Sequence, residues 1–189
     1  PHFASVNKKM LEILGKNYKV GDGIFALSNK ELEELNVEDS EREILKPLYD
    51  TRNISRYSFD SNNLLNIIYT TSDFKDKSKI NTYPNLKKHL DKFIEVITSD
   101  NRPYGLHRAR DEKFFKGEKI VSLRKCATPT FTYIETDSYV MAEFYIIKTD
   151  KINMKFLTGL LNSNLTKYWL KNMGKMQGSN YQVDKEPLV

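Results

Sequence analysis

The sequence predicts an α+β fold, with β-strands in the middle of the chain and a long helix near its end. Runs rich in β-branched and aromatic residues, which favour strands, occupy Lys119–Arg124, Thr130–Glu135 and Tyr139–Lys148. Apolar residues then recur at helical spacing through Asn153–Asn172. Strands that precede a helix, without regular alternation of the two, indicate segregated elements and not a doubly wound parallel sheet.

Shorter elements are predicted near the start of the chain. We expect a helix at Ser5–Leu14 and assign residues 1–19 to a helical linker from an absent upstream domain. Residues 20–189 are assigned to a single domain. Within it, a strand is expected at Ile24–Leu27, after two glycines, and a short helix at Lys30–Leu35.

The next segments lead towards the middle of the chain. Pro47–Ser58 is rich in turn-forming residues and is followed by a predicted strand at Leu64–Thr71. A helix is predicted to start at Pro84, because proline is well tolerated in the first helical turn. Its apolar stripe consists of Leu86, Leu90, Phe93, Ile94 and Ile97.

The long C-terminal helix is predicted to have one apolar face. This face consists of Phe156, Leu157, Leu160, Leu161, Leu165, Tyr168 and Trp169. Polar residues between them are expected to point towards solvent or a ligand; they are Lys155, Asn162, Lys167 and Lys171.

Composition excludes several classes of protein. The 189 residues are 39% hydrophobic, which is enough to form a packed core and argues against disorder. The longest apolar runs, such as Tyr139–Ile147, are too short to cross a bilayer, and no secretory leader is expected. A single cysteine, Cys126, excludes an internal disulfide and fits a reducing cytoplasm. Because the chain begins at Pro1 and not at methionine, we expect it to be a fragment of a longer polypeptide.

Positive charge is concentrated in the second half of the chain. Residues 101–134 contain 8 Lys/Arg and 3 Asp/Glu, and residues 151–185 contain 6 and 1, whereas residues 1–100 contain 15 and 16. Such segregation favours a surface that faces a polyanion, although lysines scattered over helix faces would also explain it.

The residues that catalysis requires are scarce. The sequence contains no glycine-rich phosphate loop, no zinc-ligand spacing and no Asn-Pro-Pro-aromatic motif of the kind that holds a flipped adenine. Asp111, Glu118 and Lys119 weakly resemble the residues of a metal-dependent nuclease. We therefore predict a fragment that is not itself an enzyme and that holds no metal or cofactor.

Basic and amide-bearing loops are the candidate functional residues. Arginine offers two parallel donors to a phosphate or to a guanine edge, and asparagine or glutamine can pair with two atoms of adenine. The predicted phosphate-binding residues are Arg52, Arg56, Arg102, Arg108, Arg110, Lys113, Lys125, Lys171 and Lys175. The candidate base-reading residues are Tyr104, Arg124, Thr128, Thr130, Gln177, Ser179 and Asn180.

Four segments in this order resemble the TaqI-like C-terminal specificity domain of type II restriction-modification methyltransferases. They are VGDGIFAL at Val20–Leu27, EILKPLYDTRNISRY at Glu43–Tyr57, TYPNLKKHLDKF at Thr82–Phe93 continuing through FFKGEKIVSLRK at Phe114–Lys125, and FLTGLLNSNLTKYWLKNMGKMQGSNYQ at Phe156–Gln182. The sequence departs from the family pattern at Thr51, where a glycine is usual, and at Asn53, where an acid is usual.

The resemblance implies a twisted, strand-rich domain followed by a C-terminal helical hairpin. It also implies a function, namely recognition of a target sequence in double-stranded DNA for an N-terminal domain of the same polypeptide. That domain would bind S-adenosylmethionine and methylate adenine N6, and a magnesium-dependent nuclease would be fused to it in the combined enzymes. No membrane partner is expected.

Three alternatives remain open at the level of sequence. Half of a type I specificity subunit would have a similar architecture, but its gene would encode a second recognition domain and long coiled-coil spacers. The chain could instead be a protein-interaction scaffold with a basic surface; a DNA reader would gain affinity for DNA steeply as the salt concentration falls, and a scaffold would not. A nuclease fragment would cleave DNA in a magnesium-dependent manner that Asp111→Ala abolishes.

Overall fold

The computed structural model describes residues 4–62 and 65–183, except for the side chains of residues 176, 177 and 181. The chain forms two compact units, and the first consists of residues 1–48 and 64–111. The second unit consists of residues 49–63 and 112–189. The assignment of residues 1–19 to a linker and of residues 20–189 to one recognition domain stays a prediction.

The described residues form short helices and strands. The α-helices are α1 (Lys8–Leu14), α2 (Asn29–Glu34), α3 (Pro84–Asp91), α4 (Met154–Leu161) and α5 (Asn164–Met173). Short 3-10 helices lie at Asp39–Ile44, Ser72–Lys75, Lys79–Thr82 and Glu112–Phe114. The strands are β1 (Ala26–Ser28), β2 (Leu45–Tyr49), β3 (Ile54–Ser55), β4 (Ser58–Phe59), β5 (Leu65–Ile68), β6 (Lys119–Leu123), β7 (Lys125–Cys126), β8 (Phe131–Ile134), β9 (Tyr139–Val140), β10 (Phe144–Ile147), β11 (Lys175–Gln177) and β12 (Asn180–Gln182).

In the first unit, β5 lies between β1 and β2 and pairs antiparallel with both. Helix α3 packs against the 3-10 helices Asp39–Ile44 and Lys79–Thr82, and its residues Leu86 and Leu90 are fully buried. The start of α3 is capped by the carboxylate of the buried Glu41, which accepts the backbone N–H groups of Asn85 (2.8 Å) and Leu86 (3.1 Å). The cap satisfies donors that every helix N-terminus leaves unpaired, so Glu41 fixes where this helix begins.

The second unit contains two small antiparallel sheets and a hairpin. In one sheet β6 lies between β10 and β8, and in the other β12 lies between β11 and β7. The hairpin is formed by β3 and β4. Helices α4 and α5 cover the core through Leu157, Leu161 and Leu170, which pack with Ile120 and Phe131.

The predicted α+β class and the C-terminal helical hairpin are both confirmed. The single long helix expected at Asn153–Asn172 is wrong, because the chain breaks at Asn162 and Ser163 into α4 and α5. Asn162 ends α4, and the Ser163 hydroxyl accepts the backbone N–H of Thr166 (3.3 Å) and caps α5. Short polar side chains compete for backbone hydrogen bonds in this way and interrupt a helix whose apolar spacing continues.

The expectation that Asn162 points towards solvent or a ligand is also wrong. Only 1% of Asn162 is exposed. Its Oδ1 accepts the backbone N–H of Phe131 (3.0 Å), and its Nδ2 donates to the carbonyls of Phe131 (2.7 Å) and Thr158 (3.0 Å). The side chain therefore substitutes for a neighbouring strand at the edge of β8 and holds the helical hairpin against the sheet.

The apolar face predicted for the C-terminal helix is mostly not in the core. Leu157 and Leu161 are partly buried, as expected. The other members of the predicted face are largely exposed, at 65% for Phe156, 42% for Leu160, 69% for Leu165, 68% for Tyr168 and 49% for Trp169. The residue of α5 that does enter the core is Leu170, which is fully buried.

No helix in residues 4–62 and 65–183 is long and apolar enough to span a membrane.

Candidate nucleic-acid interface

The Arg loop, residues 101–111, belongs to the first unit and combines an anchored backbone with exposed cations. The backbone N–H of Leu106 donates to the carbonyl of Thr70 (3.0 Å), and the hydroxyl of Tyr69 donates to the carbonyl of Arg110. The side chains of Arg102, Arg108 and Arg110 are exposed. An anchored loop with exposed guanidinium groups loses little entropy when it binds an anion, because the backbone is already ordered.

Tyr104 in the same loop does not lie at the surface. It is 5% exposed, and its hydroxyl donates to the Asp91 carboxylate (2.6 Å). That carboxylate also accepts the Lys87 ammonium group (2.7 Å). A base edge cannot reach a ring that the fold already buries, so we remove Tyr104 from the candidate base-reading residues and assign it to anchoring the Arg loop.

In the second unit, the segment after α5 forms a β-hairpin. Strands β11 and β12 pair with Gln177 opposite Asn180, which leaves Gly178 and Ser179 as the two turn residues. Gly178 has a φ of 61°, as the first central residue of a tight hairpin turn requires. Ser179 and Asn180 are exposed at this tip, whereas the side chain of Gln177 lies outside the described part of the structure.

This hairpin joins β7 and places three polar residues in one row. Gln182 is opposite Lys175 on one side and opposite Lys125 on the other. Neighbouring strands lie about 4.8 Å apart, so the two lysines belong to one patch although 50 positions separate them in the sequence. Both lysines are exposed. We call Lys125, Lys175 and Gln182 the lysine row.

Arg124 directly precedes Lys125 in the sequence, and both its backbone and its side chain make contacts within the second unit. Its backbone N–H donates to the carbonyl of Glu143 (2.9 Å), and its carbonyl accepts the N–H of Val183 (2.8 Å). The guanidinium carbon lies 5.2 Å from the centre of the Tyr145 ring. The buried Nε has no hydrogen-bond partner among the described residues. A guanidinium stacked on an aromatic ring is pre-oriented and can offer its remaining donors to a planar acceptor.

Thr128 and Thr130 lie in the connection between β7 and β8 and are both half-buried. The Thr130 hydroxyl donates to the carbonyl of Thr128 (2.9 Å). Its hydrogen is therefore used within the loop, and what remains for a ligand is the oxygen as acceptor and the methyl group.

The cations of the β3–β4 region are engaged within the second unit. Arg52 forms a short ion pair with Asp50 (2.6 Å), and the hydrogen bond from Arg52 lowers the pKa of the Asp50 carboxyl group. Arg56 donates to the carbonyl of Asn162, and its guanidinium carbon lies 5.1 Å from the centre of the Tyr57 ring. Because Asp50 compensates the charge of Arg52, we expect Arg52 to contribute less to phosphate binding than a lysine in the row.

Asn53, which stands where the family usually has an acid, has a structural role. It is 8% exposed, and its Nδ2 donates to the carbonyls of Asp60 (3.3 Å) and Asn62 (3.1 Å) while its Oδ1 accepts the N–H of Asp50 (3.1 Å). The side chain ties together the two ends of the β3–β4 hairpin. Neither Asn53 nor Asn162 was predicted to have this role, since nothing local in the sequence marks an asparagine that pairs with distant backbone.

The last two predicted phosphate-binding residues, Lys113 and Lys171, have exposed side chains. The ammonium group of Lys113 lies 5.3 Å from the centre of the Phe114 ring, and Lys171 is in the last turn of α5. The proposed roles of these residues, like those of the other exposed candidates, stay predictions.

The buried position of Lys119 argues against the nuclease alternative. This side chain is fully buried, and its ammonium group donates to the carbonyls of Gly117 (2.8 Å) and Thr136 (2.7 Å). A lysine that assists phosphodiester cleavage must reach a phosphate oxygen, and Lys119 has no exposed surface with which to do so.

The burial of Lys119 predicts a pH-dependent stability. Desolvation, followed by the nearby positive charge of Lys148, lowers the pKa of Lys119 from 10.5 to about 8. As the pH rises above 8 the folded chain loses this proton before the unfolded chain does, so stability increases with pH up to about 10.5. Between pH 7.5 and 9.5 we expect the wild type to gain about 1–2 kcal/mol relative to Lys119→Met in urea unfolding. Parallel pH curves for the two proteins would contradict the lowered pKa.

Comparison with known proteins identifies the family of the chain and a solved structure with a similar fold. The sequence model of the family described as the TaqI-like C-terminal specificity domain matches residues 46–188. No curated protein matches the sequence. Among solved structures, the type IIL restriction-modification enzyme MmeI in complex with DNA has a similar fold, with a TM-score of 0.59 and 17% identity over 86% of this chain. The chain spans 22% of the length of MmeI.

Proposed function

Because the chain belongs to the TaqI-like C-terminal specificity domain family, we propose that it recognises a target sequence in double-stranded DNA and directs an adenine-N6 methyltransferase to that site. The methyltransferase domain would belong to the same polypeptide and would bind S-adenosylmethionine. A fused nuclease would require magnesium. We propose that the chain itself has a purely recognising role, because the family model that it matches describes a specificity domain.

The β11–β12 hairpin with the lysine row is the observation that carries this proposal. The major groove of DNA is wide enough to admit a two-stranded β-ribbon. Lysines beside such a ribbon can contact phosphates and fix its register, while polar residues at its tip read base edges. Here Lys125 and Lys175 are the phosphate-contacting residues, and Ser179 and Asn180 are at the tip.

Salt titration of DNA binding tests the lysine row. Each phosphate contact adds about 0.9 to the slope of log affinity against log salt concentration. The double variant Lys125→Ala, Lys175→Ala should therefore lower this slope by about 2 and weaken all duplexes to a similar extent. The matched control is Lys88→Ala, which removes an exposed lysine of α3 in the first unit. An unchanged slope in the double variant would remove the lysine row from the interface.

The Arg loop gives a second, independent measurement. We expect Arg108→Ala and Arg110→Ala each to weaken duplex binding by about 1–3 kcal/mol if they contact bases, and by less if they contact only phosphates. Fluorescence anisotropy with a labelled duplex measures the loss. The exposed residue Arg42 pairs with Asp39 (3.2 Å) and provides the control variant Arg42→Ala. Wild-type affinity in both loop variants would show that the Arg loop does not contact DNA.

A further inference from the structure

The turn of the β3–β4 hairpin holds an aromatic residue in a strained backbone conformation. Ser55 is opposite Ser58, so Arg56 and Tyr57 are the two central residues of the turn. Tyr57 has a φ of 69°. Turns normally place glycine or asparagine at such a position, because a bulky side chain is strained at positive φ. The chain thus carries a tyrosine where the backbone by itself favours a glycine.

The second unit fixes this conformation through hydrogen bonds from both residues of the turn and from β8. The backbone N–H of Tyr57 donates to the carbonyl of Phe131 (3.4 Å), and Arg56 donates to the carbonyl of Asn162. The Thr132 hydroxyl donates to the carbonyl of the residue before Arg56 (2.5 Å). Strained residues persist only where their surroundings hold them, and they cluster at sites of ligand contact.

The ring of Tyr57 remains at the surface, although its backbone is anchored. The residue is 55% exposed. The guanidinium carbon of Arg56 lies 5.1 Å from the centre of the ring, and its Nη2 donates to the Tyr57 hydroxyl (3.4 Å). The cation orients the ring and adds positive charge beside it. A ligand that covers this ring would therefore bind a group that is already ordered.

The neighbours of the ring indicate which class of ligand suits it. The other residues of the turn, Ser55, Arg56 and Ser58, are polar and exposed, and the next aromatic residue, Phe59, packs against the core. Within residues 54–59, all of which the structure describes, Tyr57 is the only exposed apolar side chain. The centre of a protein interface is a cluster of apolar residues. A single ring beside a guanidinium group is instead typical of a surface on which a nucleobase stacks.

Tyr57 also lies beside a segment that contains two of the candidate base-reading residues. Phe131, whose carbonyl accepts the N–H of Tyr57, directly follows Thr130. The same connection carries Thr128 and leads back to Lys125 of the lysine row. DNA that contacts this connection would therefore pass close to the Tyr57 ring.

An intact duplex offers no free base face, because each base is covered by its neighbours in the stack. A ring can stack on a base only where the double helix is opened. Methylation of adenine N6 requires such an opening, since enzymes that act on a base rotate it out of the duplex. The gap that the adenine leaves exposes the faces of the adjacent bases.

We propose that the Tyr57 ring stacks on a base that becomes exposed when the target adenine leaves the double helix, and that Arg56 holds the ring in position. This role rests on the proposed function and deepens it, because it requires bound DNA that is opened for methylation. Every base has a π-face, so Tyr57 would stabilise the opened duplex without reading its sequence.

Duplexes that lack one base test the stacking role with the chain of residues 1–189. The starting duplex is selected from a randomised pool, and each duplex of a series has one abasic site at a different position. At one position the abasic site should strengthen binding by the wild type about 5- to 150-fold, the range for stacking of one base. Tyr57→Ala should abolish this gain and leave the affinity for the intact duplex unchanged. Tyr57→Phe and Tyr57→Trp should retain the gain, because they keep an aromatic ring.

The matched control is Tyr168→Ala, since Tyr168 is 68% exposed on α5 of the same unit. A gain that persists in Tyr57→Ala, or that Tyr168→Ala abolishes equally, would overturn the proposal. If the wild type binds the selected duplex and no abasic site strengthens binding, the stacking role fails and the proposed function stands. If the wild type binds no duplex of the pool, the proposed function itself fails.

Urea unfolding separates a role in DNA binding from a role in the fold. Tyr57→Gly should unfold at a midpoint equal to or above that of the wild type, because glycine adopts positive φ without strain. The same variant should lose the gain at the abasic site. A lower midpoint for Tyr57→Gly would show that the ring serves the fold, and would overturn the proposal.

Photo-crosslinking identifies what the ring contacts. A photoreactive phenylalanine analogue replaces Tyr57 in one preparation and Tyr168 in the control, and both are bound to the duplex with the favourable abasic site. From position 57 we expect crosslinks to the bases next to the gap, at a yield well above the control. Crosslinks to a second copy of the chain, or DNA crosslinks spread evenly along the duplex, would contradict stacking by Tyr57.

Discussion

Replacing Asn162 with alanine is expected to lower the free energy of unfolding by about 3 kcal/mol. The side chain makes three buried hydrogen bonds, of which two pair it with the backbone of Phe131 and the third with the carbonyl of Thr158. Its removal leaves the N–H of Phe131 without this partner in a fully buried position. A buried donor without a partner costs about 1–3 kcal/mol, and the lost packing adds to this.

Urea unfolding followed by the fluorescence of the single tryptophan measures this effect. The matched control is Asn172→Ala on the same hairpin, where the amide is exposed and donates to the carbonyl of Tyr168 (2.7 Å). We expect the control to change stability by less than about 0.5 kcal/mol, as exposed substitutions usually do. Equal losses of stability in the two variants would show that the buried contact of Asn162 with β8 contributes no more than the exposed hydrogen bond of Asn172.

The consequence for function follows from what Asn162 connects. It joins the turn between α4 and α5 to β8, and its carbonyl accepts the guanidinium group of Arg56. In Asn162→Ala the helical hairpin should detach from the sheet before the rest of the second unit unfolds. Hydrogen exchange in residues 154–173 should accelerate more than exchange in β6 and β10.

Loss of Arg124 should have the largest effect on sequence discrimination. An arginine that pairs with both acceptors of a guanine contributes about 1–3 kcal/mol against the wrong base, which is a factor of about 5 to 150. Arg124→Ala should therefore relax specificity at one base pair, whereas Lys125→Ala should weaken all sequences alike. Arg124→Lys should not restore specificity, because an ammonium group lacks the planar pair of donors.

The role assigned to Tyr145 makes the Arg124 prediction more specific. The ring lies 5.2 Å from the guanidinium carbon and orients it. Tyr145→Phe keeps the ring and should retain discrimination, and Tyr145→Leu should lose it without a change in the salt slope. Selection of bound sites from a randomised duplex pool measures all five variants together. A selected site that is the same for Arg124→Ala and for the wild type would exclude Arg124 as a base reader.

The positions of several helices and strands could be predicted because they depend on residues that are close together in the sequence. Helix α3 starts at Pro84 as predicted, since proline restricts its own φ and that of the residue before it. Strands β6 and β8 lie within two residues of the predicted runs, which are rich in β-branched and aromatic residues. The run Tyr139–Lys148 instead forms two short strands, β9 and β10, separated by three residues.

The candidate site was predicted by residue type but not by arrangement. Lys125 and Lys175 were both candidates, and strand pairing brings them together through Gln182. Tyr104 was a candidate because it is an aromatic residue among arginines. In the structure its ring is buried and its hydroxyl donates to the Asp91 carboxylate. Arg52 is exposed, but its positive charge is compensated by an ion pair with Asp50.

The sequence by itself determined the α+β class, the basic stretch at residues 151–185 and the family to which the chain belongs, because these properties depend on composition and on the order of short motifs. The tertiary structure alone decided which face of α5 is buried, which asparagines pair with distant backbone and which lysines form a row. Helical periodicity records that residues share a side of a helix, but it does not record what covers that side. Strand register and side-chain pairing join residues up to 106 positions apart, and such partners are fixed only when the chain folds.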